Sequence, residues 1–423
     1  MIDLRFGRYT LSVCVAVAML AGCGGTQPPI SPSPARVTAE RTRSDVAYNV
    51  LYGFTGGSGD GELPFAGLVK VKGTLYGTTA YGGGFGCSFQ LGCGTVFSVG
   101  TTGAEKVLHN FGGQGDGSDP VASLLNVNGT LYGTTLEGGA NCSSCGTVFK
   151  ITTSGAETVL HSFGGGKNEG FHPDGGLLNV NGTLYGMTNG GGVNDYGTVF
   201  AITTSGAEKV LYSFTGGSTD GEYPDGGLID VKGTLYGTTP YGGAGSCNDH
   251  GMGSGCGTVF SVTTAGKEAV LYNFKGASGD GSQPSRGLLN VNGTLYGTTQ
   301  LGGANGKGTV FAVTPSGKET VFYSFKGGSG DGSYPLADLT NVNGTLYGTT
   351  ISGGVRCKRH SGCGTVFSVT PAGTETVLHR FKGWRGGDGA WPYAGLLNVN
   401  GTLYGTTYLG GRNNGGTVFS LTP

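Results

Sequence analysis

The chain has 423 residues, of which 91 are glycine and 15 proline, a glycine share far above the usual ~7%. The glycines follow no three-residue period, which excludes collagen, and 20 Tyr, 20 Phe and 2 Trp are too many for a disordered chain or a Gly/Ser linker. Lys+Arg total 25 and Asp+Glu 26, a net charge of −1; the missing basic patch argues against a nucleic-acid partner.

The N-terminus reads as an address. Arg5 and Arg8 precede an apolar stretch from Leu11 to Gly22, the layout of a secretory signal and too short to span a bilayer. It ends in Leu20-Ala21-Gly22-Cys23, which resembles the lipobox of bacterial lipoproteins; an ordinary signal followed by a chance cysteine is the alternative. The resemblance implies a signal over 1–22 and a lipid on Cys23. The absence of Asp after that cysteine implies the outer membrane of a two-membrane bacterium. Residues 23–45, with Pro28, Pro29, Pro32 and Pro34, form a semi-extended tether.

Internal repeats fill residues 46–423. The string LYGTT, once LYGMT, begins at Leu75, Leu131, Leu184, Leu235, Leu295, Leu346 and Leu403, a spacing typical of solenoids, propellers or arrays. Each unit reads as four short strands. Leu177-Leu178-Asn179-Val180 exemplifies the first. An Asn-Gly turn (Lys-Gly at Lys72 and Lys232) leads to Thr-Leu-Tyr-Gly-Thr-Thr, and Asn-Gly favours a type I′ hairpin. A Gly-Gly loop then leads to Gly-Thr-Val-Phe, and a Ser-Gly or Ala-Gly turn to a fourth strand ending in Phe. Val, Thr, Tyr and Phe suit strands. The repeats open with a fourth strand, Val50 to Phe54, and close with a third, Gly416 to Ser420. The pieces balance only if the N-terminal strand completes the last sheet. The expectation is an all-β fold: a seven-bladed β-propeller of four-stranded blades, closed by its N-terminal strand.

Eight cysteines form local pairs between second and third strands: Cys87/Cys93, Cys142/Cys145, Cys247/Cys256 and Cys357/Cys363. Those four connections are 14, 10, 17 and 13 residues long, whereas the three without cysteine have 8. The pairs read as disulfides of an exported protein. Zinc or redox chemistry at Cys142-x-x-Cys145 is the alternative.

Alternating strands send the second-to-third and fourth-to-first connections to one face. These carry the insertions, the cysteines and the loop aromatics Tyr81, Phe85, Phe89, Phe171, Tyr223, Tyr241, Tyr334, Trp384, Trp391 and Tyr393. An acidic residue stands four positions before a proline in every unit: Asp60, Asp116, Glu169, Asp220, Asp280, Asp331 and Asp388. It reads as a turn residue, with a ring of Ca²⁺-binding carboxylates as the alternative. The residue just before the proline varies: Leu63, Asp119, His172, Tyr223, Gln283, Tyr334 and Trp391. Variation on a constant turn points to ligand recognition, with His172, Tyr223, Tyr334, Trp384 and Trp391 as candidate binding residues.

No phosphate loop or nucleophile elbow is present. His109, His161 and His379 share a position with Tyr52, Tyr212, Tyr272 and Tyr323 and read as structural, as does the recurring Glu of the fourth strand. No catalytic residue and no cofactor is expected.

The LYGTT, GTVF and terminal-Phe pattern resembles the bacterial GloVer (Gloeo-Verruco) tandem repeat over residues 46–423, and the strand and Gly-Gly layout is similar to kelch-type propellers. The resemblance implies an exported, anchored protein with no defined activity. The function expected is a lipid-anchored envelope module, at the outer membrane or cell surface, that binds glycan or an envelope protein through its loop face. A propeller enzyme acting on polysaccharide, or a purely structural envelope protein, is the alternative.

Overall fold

The computed structural model describes residues 46–423 apart from 85–86, 88–90, 113–114, 248–252, 277–278, 285 and 358–361. The signal, Cys23 and the tether, and with them Phe85, Phe89, His250 and His360, lie outside the described residues. Residues 44–423 form one unit.

That unit is a seven-bladed β-propeller. Blades 1 to 6 occupy residues 69–110, 125–162, 178–213, 229–273, 289–324 and 340–380, each an antiparallel meander. Blade 7 takes three strands from the C-terminus (Leu397–Val399, Thr402–Thr407 and Thr417–Thr422) and its outer strand, Ala47–Gly53, from the N-terminus. Ala47 pairs with Thr422 and Gly53 with Thr417, so the ring closes as the unequal strand count required. The short first strands touch one another from blade to blade and surround the axis.

Turn chemistry sets the blade. At the first hairpin, Asn or Lys takes φ 47–56° and the following Gly 83–93° in all seven blades, the two positive φ values of a type I′ turn. Between blades, the Phe ending one fourth strand meets the third-strand Phe of the next blade edge-on. Phe54–Phe97, Phe111–Phe149 and Phe381–Phe419 are examples, and all seven centroid distances are 5.0–5.4 Å. Each such pair adds about 0.5–1.5 kcal/mol beyond its burial. The glycine opening Gly-Thr-Val-Phe abuts the next unit's proline. A Cβ at Gly94 would lie 2.5 Å from Pro120 Cδ, and one at Gly416 2.4 Å from Pro64 Cδ.

The loop face is more ordered than the repeat pattern predicts. The fourth-to-first connection pairs with the second-to-third connection in a two-residue ribbon, such as Gly221–Glu222 with Tyr241–Gly242 or Gly389–Ala390 with Leu409–Gly410. In blade 5 the equivalent strand Gly281–Pro284 joins the main sheet through the long strand Thr294–Gly302.

The four expected disulfides are formed, with Cα–Cα distances of 4.9–5.4 Å. Their placement corrects the loop-face reading, which set all eight cysteines among variable loops. The second cysteine of each pair belongs to the core. Cys93, Cys256 and Cys363 are fully buried and Cys145 nearly so. Cys93 packs with Val96 and Phe111, and Cys256 with Val259 and Phe274. The cause is position: each directly precedes Gly-Thr-Val-Phe, where the chain closes against the next unit's proline. Each disulfide therefore ties a loop to the core, and these four sulfurs are part of the packing, not of the binding face.

Candidate functional site

The corner carboxylates are built into the seams. Asp60 Oδ1 accepts the N–H of Gly61 (2.7 Å), and Oδ2 accepts the N–H of Thr55 (2.8 Å) and the hydroxyl of Tyr52 (3.0 Å). Asp220, Asp280 and Asp331 repeat this with Tyr212, Tyr272 and Tyr323. Asp116, Glu169 and Asp388 take His109, His161 and His379 instead, at 3.2, 2.7 and 3.0 Å. The shared Tyr/His position is therefore the donor to the corner. Among the described residues, two seams bring three potential metal ligands within 4.8 Å of one another: His109, Asp116, Glu157 and His161, Glu169, Glu208. An imidazole nitrogen in the set departs from the all-oxygen shell that Ca²⁺ takes.

The variable residue before the proline has one backbone conformation in every unit. Leu63, Asp119, His172, Tyr223, Gln283, Tyr334 and Trp391 all have φ 53–58°, a left-handed state costing roughly 1–2 kcal/mol for a residue with a Cβ. Its N–H offsets that cost by reaching into the preceding blade, to the carbonyl just before Gly-Thr-Val-Phe. Tyr223 donates to Tyr196 at 2.9 Å. In four units that carbonyl belongs to a buried disulfide cysteine. Asp119 donates to Cys93 and His172 to Cys145, both at 3.0 Å, and Gln283 to Cys256 and Trp391 to Cys363, both at 2.9 Å. Backbone is thus fixed and side chain left to vary, a combination that suits a recognition surface.

The seams use that side chain differently. Tyr223 packs edge-on between Tyr196 and Tyr241, with centroids at 5.6 and 6.3 Å. Tyr334 accepts a hydrogen bond from Lys307 Nζ at 3.0 Å, the ammonium also lying 5.1 Å from the ring centre. His172 stands edge-on to Phe171, and burial pushes its pKa down. Trp384 and Trp391 alone among the five binding candidates share a groove. It lies between blades 6 and 7, has a volume of about 560 Å³, and is lined also by Arg356, Cys357, Lys382, Gly383, Arg385, Ala390, Leu409 and Asn414. That volume is within the usual range for ligand pockets, about 300–1,000 Å³. Trp384 is 51% exposed, and Arg385 stacks its guanidinium 5.3 Å from the indole centre. Of the groove's cations, Arg356 belongs to the one local cluster of basic residues in the repeats, Lys382 stands where Lys275 and Lys326 stand in two other units, and Arg385 has no counterpart; no sequence pattern joins the three.

A second cavity, of about 210 Å³, receives residues from all seven blades and so lies on the axis. The residue after each proline lines much of it, including Phe65, Asp174, Asp225 and Tyr393, joined by Arg286. Phe65 stacks on Tyr393 at 4.6 Å, and the Arg286 guanidinium lies 4.8 Å from the Phe65 centre. Burial pushes Asp225 up to about 7, Arg286 opposing and Asp174 adding to the rise. Asp174 is also raised by burial, against Arg286 and His172. Asp225 Oδ1 is buried with no hydrogen-bond partner among the described residues. Here repeat symmetry does break in one place: Asp174, Asp225 and Arg286 sit where other units carry apolar or small residues. Attention to the position after the proline, as well as the one before it, would have found it.

The fold and these loops define a disulfide-stapled tandem-repeat β-propeller. The chain matches the Gloeobacter/Verrucomicrobia repeat over residues 38–249 and 244–423 and belongs to that family. No curated protein matches it in sequence. Among solved structures, it is similar to a puromycin hydrolase (TM-score 0.50, 11% identity, 83% of this chain and 50% of that one). It is also similar to a protein of unknown function from Dyadobacter fermentans (0.46, 11%, 89% and 98%) and a gluconolactonase from Xanthomonas campestris (0.37, 13%, 65% and 78%). The chain spans half the length of the puromycin hydrolase, and at these identities the likeness is one of fold alone.

Proposed function

We propose that this propeller is an envelope binding module that takes a saccharide in the groove between blades 6 and 7. One observation carries the reading: Trp384 and Trp391, the chain's two tryptophans, line one groove of about 560 Å³. Indole faces stack on sugar rings, and anchor aromatics supply much of the energy at a binding surface. In this reading residues 1–22 direct export, Cys23 carries the lipid, and the tether to residue 45 holds the disc at the outer membrane. The four disulfides suit that oxidising setting. An envelope protein on the same face is the competing partner. Binding of the purified protein to a panel of envelope polysaccharides tests the site. Trp384→Ala and Trp391→Ala should each weaken binding about tenfold or more, the equivalent of about 1.4 kcal/mol. Unchanged affinity in both variants overturns the assignment.

The axial cavity supports a second reading, hydrolysis of polysaccharide. A carboxyl held protonated by burial can serve as the acid in glycosidic-bond cleavage beside a second carboxylate, and Asp225, held up to about 7, would be that acid with Asp174 lining the same cavity. Release of reducing ends that is lost in Asp225→Asn would support it. No release from the panel removes it and leaves the binding module.

A further inference from the structure

The groove between blades 6 and 7 gathers charge of one sign. Arg356, Lys382 and Arg385 line it, and no acidic residue among those described does, in a chain whose net charge is −1. Asp388 lies close in sequence, but it is 5% exposed. Its oxygens accept from Tyr48, Gly389, His379 and the backbone N–H of Lys382.

The turn that carries Trp384 and Arg385 does not need them. The 3-10 turn Trp384–Gly386 starts from Gly383 at φ 71°, ψ −172°, and its counterpart between blades 3 and 4, Gly217–Thr219, starts from Gly216 at φ 69°, ψ −171°. The counterpart reads Gly-Ser-Thr from the same entry and leaves into extended Asp220, whereas Trp384–Gly386 leaves through one added residue, left-handed Gly387 at φ 65°. Trp384 and Arg385 are therefore additions to a turn that forms without them. Arg385 stacks on the exposed indole, a geometry that leaves the edge of a guanidinium suited to bidentate pairing with an oxyanion.

We propose that the groove selects an anionic saccharide: a sugar ring against Trp384 and Trp391, its carboxylate or sulfate directed to Arg356, Lys382 and Arg385. This rests on the saccharide reading of the same groove. A neutral sugar would cover three cations without pairing them, and such uncompensated desolvation disfavours it.

Affinity electrophoresis and calorimetry with the purified protein test the proposal, using polygalacturonate, its fully methyl-esterified form and dextran sulfate. Polygalacturonate or dextran sulfate should bind at least about tenfold more tightly than the methyl ester, with affinity falling as salt screens the pairs. The tighter of the two acidic probes identifies carboxylate or sulfate as the group read. Arg356→Gln, Lys382→Gln and Arg385→Gln should weaken acidic-probe binding and, by removing the unpaired cations, narrow or close the gap to the methyl ester; unchanged acidic-probe binding in the triple variant overturns the proposal. Equal affinity for the methyl ester overturns the charge selectivity and leaves the saccharide site standing. Acidic-probe binding that survives both tryptophan variants overturns the saccharide site too, because charge alone then explains it. Binding of none of the three probes overturns the proposal.

Discussion

Two seams of the ring share the ribbon and the entry to a 3-10 turn and differ in what they do with them. Between blades 3 and 4, Glu222 Oε1 accepts the N–H of Gly217 and the hydroxyl of Ser254, both at 2.8 Å, and Oε2 accepts the Ser254 N–H at 3.1 Å. The side chain fills the angle between the ribbon and the 3-10 turn. Between blades 6 and 7, the equivalent ribbon residue is Ala390, which lines the groove, and Trp384 and Trp391 rise as its walls. The outer edge differs as well. Glu268 faces Asp220 at the first seam, whereas Tyr48 takes the place of that glutamate at the second, donating to Asp388 at 2.5 Å and stacking on His379 at 3.7 Å. A few side chains on a constant frame convert a stitched seam into an open groove.

The comparison breaks most sharply at Ala390. Ala390→Glu should install the carboxylate that Glu222 supplies elsewhere, filling the groove floor and neutralising part of its charge. Saccharide binding should fall about 100-fold or more, because an opposed charge and lost volume act together. The melting temperature should change little, since six other units hold side chains from Ser to Glu and Phe at this ribbon position. Calorimetry beside thermal denaturation checks both parts. Retained affinity in a folded variant would show that Ala390 is not what opens the groove.

Much of this was legible in the sequence because glycine, proline and Asn-Gly fix local conformation. The I′ hairpins, the closure by an N-terminal strand (expected over Val50 to Phe54, formed by Ala47–Gly53) and the four staples follow from residues whose φ or spacing leaves few choices. The left-handed turn before each proline does not, because none of the seven residues there favours it. Spacing paired the cysteines but did not place them: the burial of Cys93 and Cys256 depends on a proline brought in from the next unit. The corner Asp was legible as a turn residue, but its donor was not. Pairing Tyr52 with Asp60 or His109 with Asp116 requires knowing how the strand enters the corner. The ribbons escaped notice because Gly61–Glu62 and Tyr81–Gly82 are too short to show a period of two. The groove required the small side chain of Ala390 to be read together with Trp384, and the axial site required seven distant positions to be brought to one axis. Both depend on closure in three dimensions, which no local pattern carries.

The outer edge offers a smaller test that bears on all the seams. Burial, reinforced by Asp220, pushes Glu268 up to about 7, and the neighbouring Tyr212 hydroxyl opposes the rise. Glu105, Glu157, Glu208, Glu319 and Glu375 reach about 7 for the same leading reason. The Oε1 of each of the six is buried with no hydrogen-bond partner among the described residues. A folded pKa above the ordinary value of 4.5 means that the fold favours the neutral acid. The stability this gives is whole below about pH 4.5 and is lost as pH rises through about 7. The melting temperature should therefore fall between about pH 4.5 and 7. Glu268→Gln, neutral throughout, should lessen the fall by one seam's share, an effect small beside that of filling the groove. Tyr48→Glu should add a seventh titrating seam and steepen it. Thermal melts across this range decide the matter: a Glu268→Gln protein that loses as much stability as the parent would show that the seam glutamates do not titrate in the fold.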